Sequence, residues 1–128
     1  MSETPEQALI RRMREQRMSW VTLSDATTPP KRVRIIRPTE VEVSEHLIKD
    51  GSLSIGHAEV VRFTVGWEGF TEADLLGPAI GGSDPLAYSP ALWAELSADH
   101  AKWSGQVARA LLDALVAHNQ QLADNAKN

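Results

Sequence analysis

The last third of the chain constrains the fold most strongly. From about His100 or Ser104 to about Asp124, apolar residues recur at the spacing of one helical face, and polar residues occupy the opposite face. The apolar stripe consists of Trp103, Val107, Leu111, Ala114, Leu115, His118 and Leu122, and the opposite face carries Arg109, Asp113 and Gln120. This pattern predicts a long core-facing helix, and Gly105 suggests that Ser104 caps it.

A shorter helix precedes the long one. Ser89 followed by Pro90 is a typical N-cap and first-position pair, and apolar side chains follow on one face of "PALWAELSAD". We therefore predict a helical pair over residues 89–124. Residues 77–87, "GPAIGGSDPLA", contain three glycines and two prolines and predict a loop.

The N-terminal third predicts a helix followed by paired strands. Residues 1–18 read as a basic amphipathic helix with Pro5 in its first turn. In residues 19–38, "WVTLSD" and "KRVRIIRP" flank the proline-rich turn "ATTPP", and Pro38 ends the second run. The sequence predicts a small β element here.

The middle of the chain is less clearly patterned. Residues 39–50 fit a strand at "VEV" and then a helix that stops at Gly51. Residues 57–65 fit either a strand or a helix ending at Gly66, and we favour the helix. Together these patterns predict an α+β fold, a mostly helical single domain over residues 1–128.

Composition limits the functional classes. A chain of 128 residues can bury a core of its own, and without cysteine it has no disulfide framework. It has neither a signal-peptide pattern nor an apolar run of membrane-spanning length, so we expect a cytoplasmic protein without a membrane partner.

Positive and negative charges are distributed unevenly along the chain. Residues 1–37 hold eight Lys/Arg and four Asp/Glu, whereas residues 38–128 hold five Lys/Arg and thirteen Asp/Glu. This asymmetry favours association between copies, or an acidic partner, over nucleic acid.

No catalytic or metal-binding motif is complete. The four histidines are His46, His57, His100 and His118, and no two of them stand four residues apart. "HAE" lacks the cysteine pair of zinc deaminases, "GGSDP" lacks a nucleophile elbow, and "GWEGF" lacks the third glycine of a dinucleotide fingerprint. We predict no enzyme activity, no cofactor and no metal.

Arginines and tryptophans require separate interpretations. The cationic candidates for a phosphate or an acidic partner are Arg11, Arg12, Arg14 and Arg17, and the alternative that we favour is the solvated side of a helix. Trp20, Trp67, Trp93 and Trp103 are predicted to supply the core.

Two residues of the long helix are candidates for a partner site. Leu112 and Val116 lie to one side of the apolar stripe, so they exceed what a single packing face needs. Either another element of the domain covers them, or they contact a partner.

The order of motifs from residue 33 onward resembles a known family. "VRIIRPTEVE" is followed by "VVRFTVGWEGF", by "SDPLAYSPALW", and by a terminal "AKN". This order is similar to that of tail assembly chaperones of long-tailed bacteriophages and prophages. The matching pairs are Gly66 and Trp67, Tyr88 and Ser89, and Lys127 and Asn128.

The resemblance implies a helix running into the Gly-Trp pair, which is why we favour a helix before Gly66. It also implies a non-enzymatic factor of the host cytoplasm, a homo-oligomer that coats the tape measure protein and helps to recruit tail tube subunits. The arginine-rich first helix lies outside the resemblance. One alternative is therefore a small nucleic-acid-binding or head-to-tail connector phage protein that uses this helix. The other is a small bacterial enzyme with no recognisable motif.

Overall fold

Helices and a small antiparallel sheet form an α+β fold, as the sequence predicts. The computed structural model describes residues 2–24 and 30–127. In chain order the elements are α1 Pro5–Gln16, β1 Met18–Thr22, β2 Arg32–Ile36, α2 Glu40–Glu42 with a π-helical turn Val43–Leu47, β3 Ile48–Lys49, β4 Ser52–Leu53, α3 His57–Arg62, β5 Thr64–Glu68, α4 Glu72–Leu76, α5 Pro90–Ala98 and α6 Ala101–Ala126.

The main sheet has the strand order β1-β2-β5, and both pairs are antiparallel. In β2, Val33 and Ile35 are buried while the arginines between them lie on the other face. This alternation places one face of the sheet on the helices and leaves the other face towards solvent. The β element predicted over residues 19–38 is confirmed as the β1–β2 pair, but most of its "ATTPP" turn lies outside the described residues.

The C-terminal helical pair is also confirmed. The Ser89 side chain accepts a hydrogen bond from the Leu92 amide at 3.4 Å, and Pro90 occupies the first turn of α5. Helix α6 begins after His100, so Gly105 lies within it, and the Ser104 hydroxyl donates to the Ser97 carbonyl at 2.7 Å instead of capping α6. The core side chains of α6 are Trp103, Val107, Leu111 and Leu115.

The expectation for residues 57–65 is only partly correct. Residues 57–62 form α3 as favoured, but Thr64 and Val65 belong to β5, and so do Gly66 and Trp67. The Thr64 hydroxyl donates to the Val60 carbonyl at 2.7 Å at the end of α3, and the next residues pair with β2. The backbone partners that β2 supplies explain why the chain leaves the helix before Gly66.

For residues 39–50 the predicted order of elements is wrong. Thr39 caps α2 through a reciprocal pair of hydrogen bonds with Glu42, so "VEV" is helical. Strand β3 comes afterwards and pairs with β4 around a turn at Asp50 and Gly51, whose φ angles are 52° and 78°. The capping bonds stabilise the helix start despite the β-branched residues that follow.

Three of the four tryptophans are buried, and the prediction is wrong for Trp20. Trp20 lies on the edge strand β1 and is 41 % exposed. The guanidinium carbons of Arg32 and Arg34 lie 4.7 Å and 5.8 Å from its ring centroid, which are cation–π distances. Trp20 therefore faces the arginines on the solvent side of the sheet.

Trp67 joins the sheet to the long loop. Its ring stacks on Phe70 at 4.5 Å and meets Tyr88 edge-on at 5.4 Å, and its indole nitrogen donates to the Leu86 carbonyl at 2.8 Å. Of the two glycines that flank Trp67 and Glu68, Gly69 makes a sharp turn and Gly66 does not. Gly69 has φ 86°, and a Cβ there would lie 2.3 Å from the Pro30 carbonyl oxygen, whereas Gly66 continues the strand.

Candidate partner-binding surfaces

The two partner-binding candidates on α6 differ in exposure. Val116 is 58 % exposed, while Leu112 is half-buried. Leu122, predicted to belong to the core stripe, is 44 % exposed, and residues 119–127 are all exposed. The last turns of α6 thus extend past the core, since the stripe beyond Leu115 is partly covered only at His118 and residues 119–127 are exposed.

Helix α1 presents a second apolar surface. It contains no buried residue. Leu9, Ile10 and Met13 are 59 %, 51 % and 65 % exposed, respectively. At about 100° per residue, these three side chains cover an arc of roughly 100° on one side of the helix. We call residues 2–17 the N-terminal arm, because this helix leaves its apolar arc free.

The structure gives the four candidate arginines different environments. Glu3 and Glu15 each lie 3.0 Å from the Arg11 guanidinium, and their hydrogen bonds raise the pKa of Arg11 above its ordinary value. Arg17 donates to the Arg37 carbonyl at 2.7 Å, which ties the end of the arm to the body.

Arg12 and Arg14 are both exposed, and neither forms an ion pair within residues 2–24 and 30–127. They are therefore the arm's available cations.

One open groove lies between the arm and the C-terminal half of α6. Met13 and Arg17 line one side, and Ala117, His118 and Gln121 line the other. His118 Nε2 also lies 3.1 Å from Glu40 Oε2, which connects α6 to α2. The groove places the arm's root beside the C-terminal half of α6.

An acidic groove lies between α4 and α5. Its apolar lining includes Leu75, Leu92 and Leu96, with the 57 % exposed Leu76 beside them. Glu95 and Asp99 contribute carboxylates to the same groove. Of the six acidic residues between Arg62 and Lys102, Glu68 and Asp74 pair with Arg32 and Lys31, so Glu95 and Asp99 give the groove its negative charge. The groove has no signature in the sequence, because the long loop separates α4 from α5.

A contact between a histidine and a serine also has no signature in the sequence. His57 Nε2 lies 2.9 Å from Ser97 Oγ, joining α3 to α5. The Ser97 hydroxyl donates its only hydrogen to the Trp93 carbonyl at 2.6 Å, and Ser97 is 1 % exposed. The imidazole must therefore donate to the hydroxyl, which is the reverse of what an activated serine requires. This geometry indicates a contact that holds the two helices together.

A largely buried ion pair fixes α4 to Lys31, the residue that precedes β2. Lys31 Nζ lies 2.9 Å from Asp74 Oδ1, and the two side chains are 5 % and 19 % exposed. Partial burial by itself raises the pKa of Asp74, but hydrogen bonds from Lys31 and Thr71 together lower it below its ordinary value. The charged form of Asp74 therefore contributes to stability.

The remaining histidines are dispersed. His100 stacks on Trp103 with ring centroids 4.1 Å apart, and His46 lies beside Glu45. Within the described part of the chain, no three His, Asp or Glu side chains converge as metal ligands would. None of the helices in that part combines the length and apolar character needed to cross a bilayer.

Comparison with protein-family models, with curated proteins and with solved structures found no match to this chain. The family resemblance therefore rests on the sequence motifs alone. The geometry adds two kinds of surface that suit protein contact: exposed apolar helix faces on the arm and on α6, and an acidic groove between α4 and α5.

Proposed function

We propose that this protein is a tail assembly chaperone of a long-tailed bacteriophage or prophage. It acts without catalysis in the host cytoplasm, where it binds the tape measure protein and helps to recruit tail tube subunits. The motif order around Gly66, Trp67, Tyr88 and Ser89 supports the family. The structural observation that carries the proposal is the exposed apolar surface of α6 beyond the core.

The client contact is assigned to three side chains of α6. Val116 and Leu122 are exposed, and the half-buried Leu112 lies one turn before Val116. Residues 112 to 122 extend over roughly 15 Å of helix, which matches about three turns of a helical client. A contact of this size is weak singly, so coating a long helical client requires many copies side by side.

The test is co-expression with the tape measure protein of the same phage or prophage, followed by measurement of the amount that co-purifies. The variant Val116→Asp with Leu122→Asp places two charges in the proposed contact. Because both side chains are exposed, we expect a folded protein that retains less than a tenth of the client. The matched control is Ile80→Asp, a 75 % exposed aliphatic residue in the long loop, which should retain the client.

Circular dichroism of each variant checks the fold. Unchanged co-purification by the folded double variant would contradict the proposed contact. A native protein that does not bind the tape measure protein at all would contradict the proposed function itself.

The second candidate function is nucleic-acid binding, or a connector role, through the arm. The observation in its favour is that Arg12 and Arg14 are exposed and make no ion pair in the described part of the chain. The surplus of eight negative charges over residues 38–128 opposes it, because the rest of the protein repels phosphate.

A further inference from the structure

We propose that the N-terminal arm of one copy docks into the acidic groove between α4 and α5 of a second copy, so that copies associate head to tail. This self-association is independent of the proposed chaperone function. It concerns different surfaces, and it holds whether or not the protein binds a tape measure protein.

The arm has the features of a helix that docks into a groove. Its arc of Leu9, Ile10 and Met13 is exposed, and none of its residues is buried. Arg12 lies about 60° to one side of this arc and Arg14 about 40° to the other, at 100° per residue. An apolar stripe with a cation on each side suits an apolar groove bordered by carboxylates.

The groove complements the arm in both respects. Leu75, Leu76 and Leu92 provide apolar surface, and Glu95 and Asp99 provide negative charge. Because Glu95 and Asp99 line the groove itself, it attracts the two exposed arginines of an arm. Glu6, at the N-terminal end of the arm's apolar arc, is its only acidic side chain within that arc.

The arm cannot reach the groove of its own chain. Met13 lies beside His118 near one end of α6, whereas His100, at the start of α6, lines the acidic groove. Eighteen positions of helix separate the two histidines, which corresponds to roughly 27 Å at 1.5 Å per residue. An arm that occupies this groove must therefore come from another copy.

This contact joins two different surfaces, so a pair of copies keeps one arm and one groove free for further copies. Such an interface produces rings or filaments instead of closed two-fold dimers. Three side chains in one groove form a contact below standard interface size, so we expect micromolar or weaker association that higher salt weakens further.

The experiment is sedimentation velocity of the native protein and of two variants over the micromolar to millimolar range. Met13→Asp disables the arm, and Leu76→Asp disables the groove; both side chains are mostly exposed, so both variants should fold. We expect concentration-dependent growth of the native protein, and at least tenfold weaker self-association of each variant alone. An equimolar mixture should form a one-to-one dimer and nothing larger, because each variant retains one working surface.

A charge exchange tests the electrostatic part. Arg12→Glu with Arg14→Glu should abolish association, and adding Glu95→Arg and Asp99→Arg to the same chain should restore it. A native protein that stays monomeric throughout would overturn the proposal. Folded variants that associate like the native protein, or that do not pair when mixed, would overturn it as well.

Discussion

Replacing Trp67 by alanine tests how the loop and the sheet are held together. Trp67 is 8 % exposed, stacks on Phe70, and donates a hydrogen bond to the Leu86 carbonyl. Truncating a buried tryptophan costs about 3–5 kcal/mol, because apolar burial is lost and a cavity remains. The substitution also leaves the Leu86 carbonyl without this donor.

The expected change in melting temperature follows from chain length. An unfolding entropy of about 2.1 cal/mol/K per residue gives roughly 0.27 kcal/mol per degree for a chain of 128 residues. The loss of about 3–5 kcal/mol therefore lowers the melting temperature by about 11–19 °C. Thermal unfolding followed by circular dichroism, together with urea titration, measures both quantities.

Two further variants serve as controls. Trp67→Phe keeps an aromatic ring but loses the indole donor, so it should cost less than the alanine variant. Trp20→Ala removes the same side chain from a 41 % exposed site, and the loss of its arginine contacts should cost about 1 kcal/mol. If Trp67→Ala and Trp20→Ala melt at the same temperature, the assignment of Trp67 to the core is refuted.

Two other predictions concern charged groups. Because the pKa of Asp74 is lowered in the folded protein, its stabilising contribution is present above its unfolded pKa and is lost as the pH falls through the folded value. The free energy of unfolding of the native protein should therefore fall below about pH 4. The variant Asp74→Asn should be about 1–3 kcal/mol less stable at pH 7, and its free energy of unfolding should decrease less in acid. Urea titrations at several pH values measure both effects. The protein should not bind duplex DNA appreciably at physiological salt, and nanomolar binding in a fluorescence anisotropy titration, abolished by replacing Arg11, Arg12 and Arg14 with alanine, would contradict this.

The sequence by itself determined the elements whose signals are local. The cap at Ser89 with Pro90, and the stripe from Trp103 to Leu115, specify the helical pair, because capping and periodicity act within a few turns. The alternation of Val33 and Ile35 with arginines specified β2 and the face that it buries.

Only the tertiary structure decided the features that depend on distant partners. Residues 64–68 became a strand because β2 offers them backbone hydrogen bonds, although a helix ending at Gly66 fits the local sequence. Trp20 is exposed because it lies on the solvent face of an edge strand, whereas Trp67, of the same residue type, packs under the loop.

The candidate surfaces show the same division. Sequence periodicity identified Val116 as surplus to the core, but the exposure of Leu122 and of the arm's apolar arc depends on where the core stops. The pairing of Arg11 is local by contrast, because Glu15 lies four residues on in the same helix and Glu3 lies just before it. The acidic groove exists only because folding brings α4 and α5 together across the long loop, a proximity that the spacing of residues along the chain does not encode.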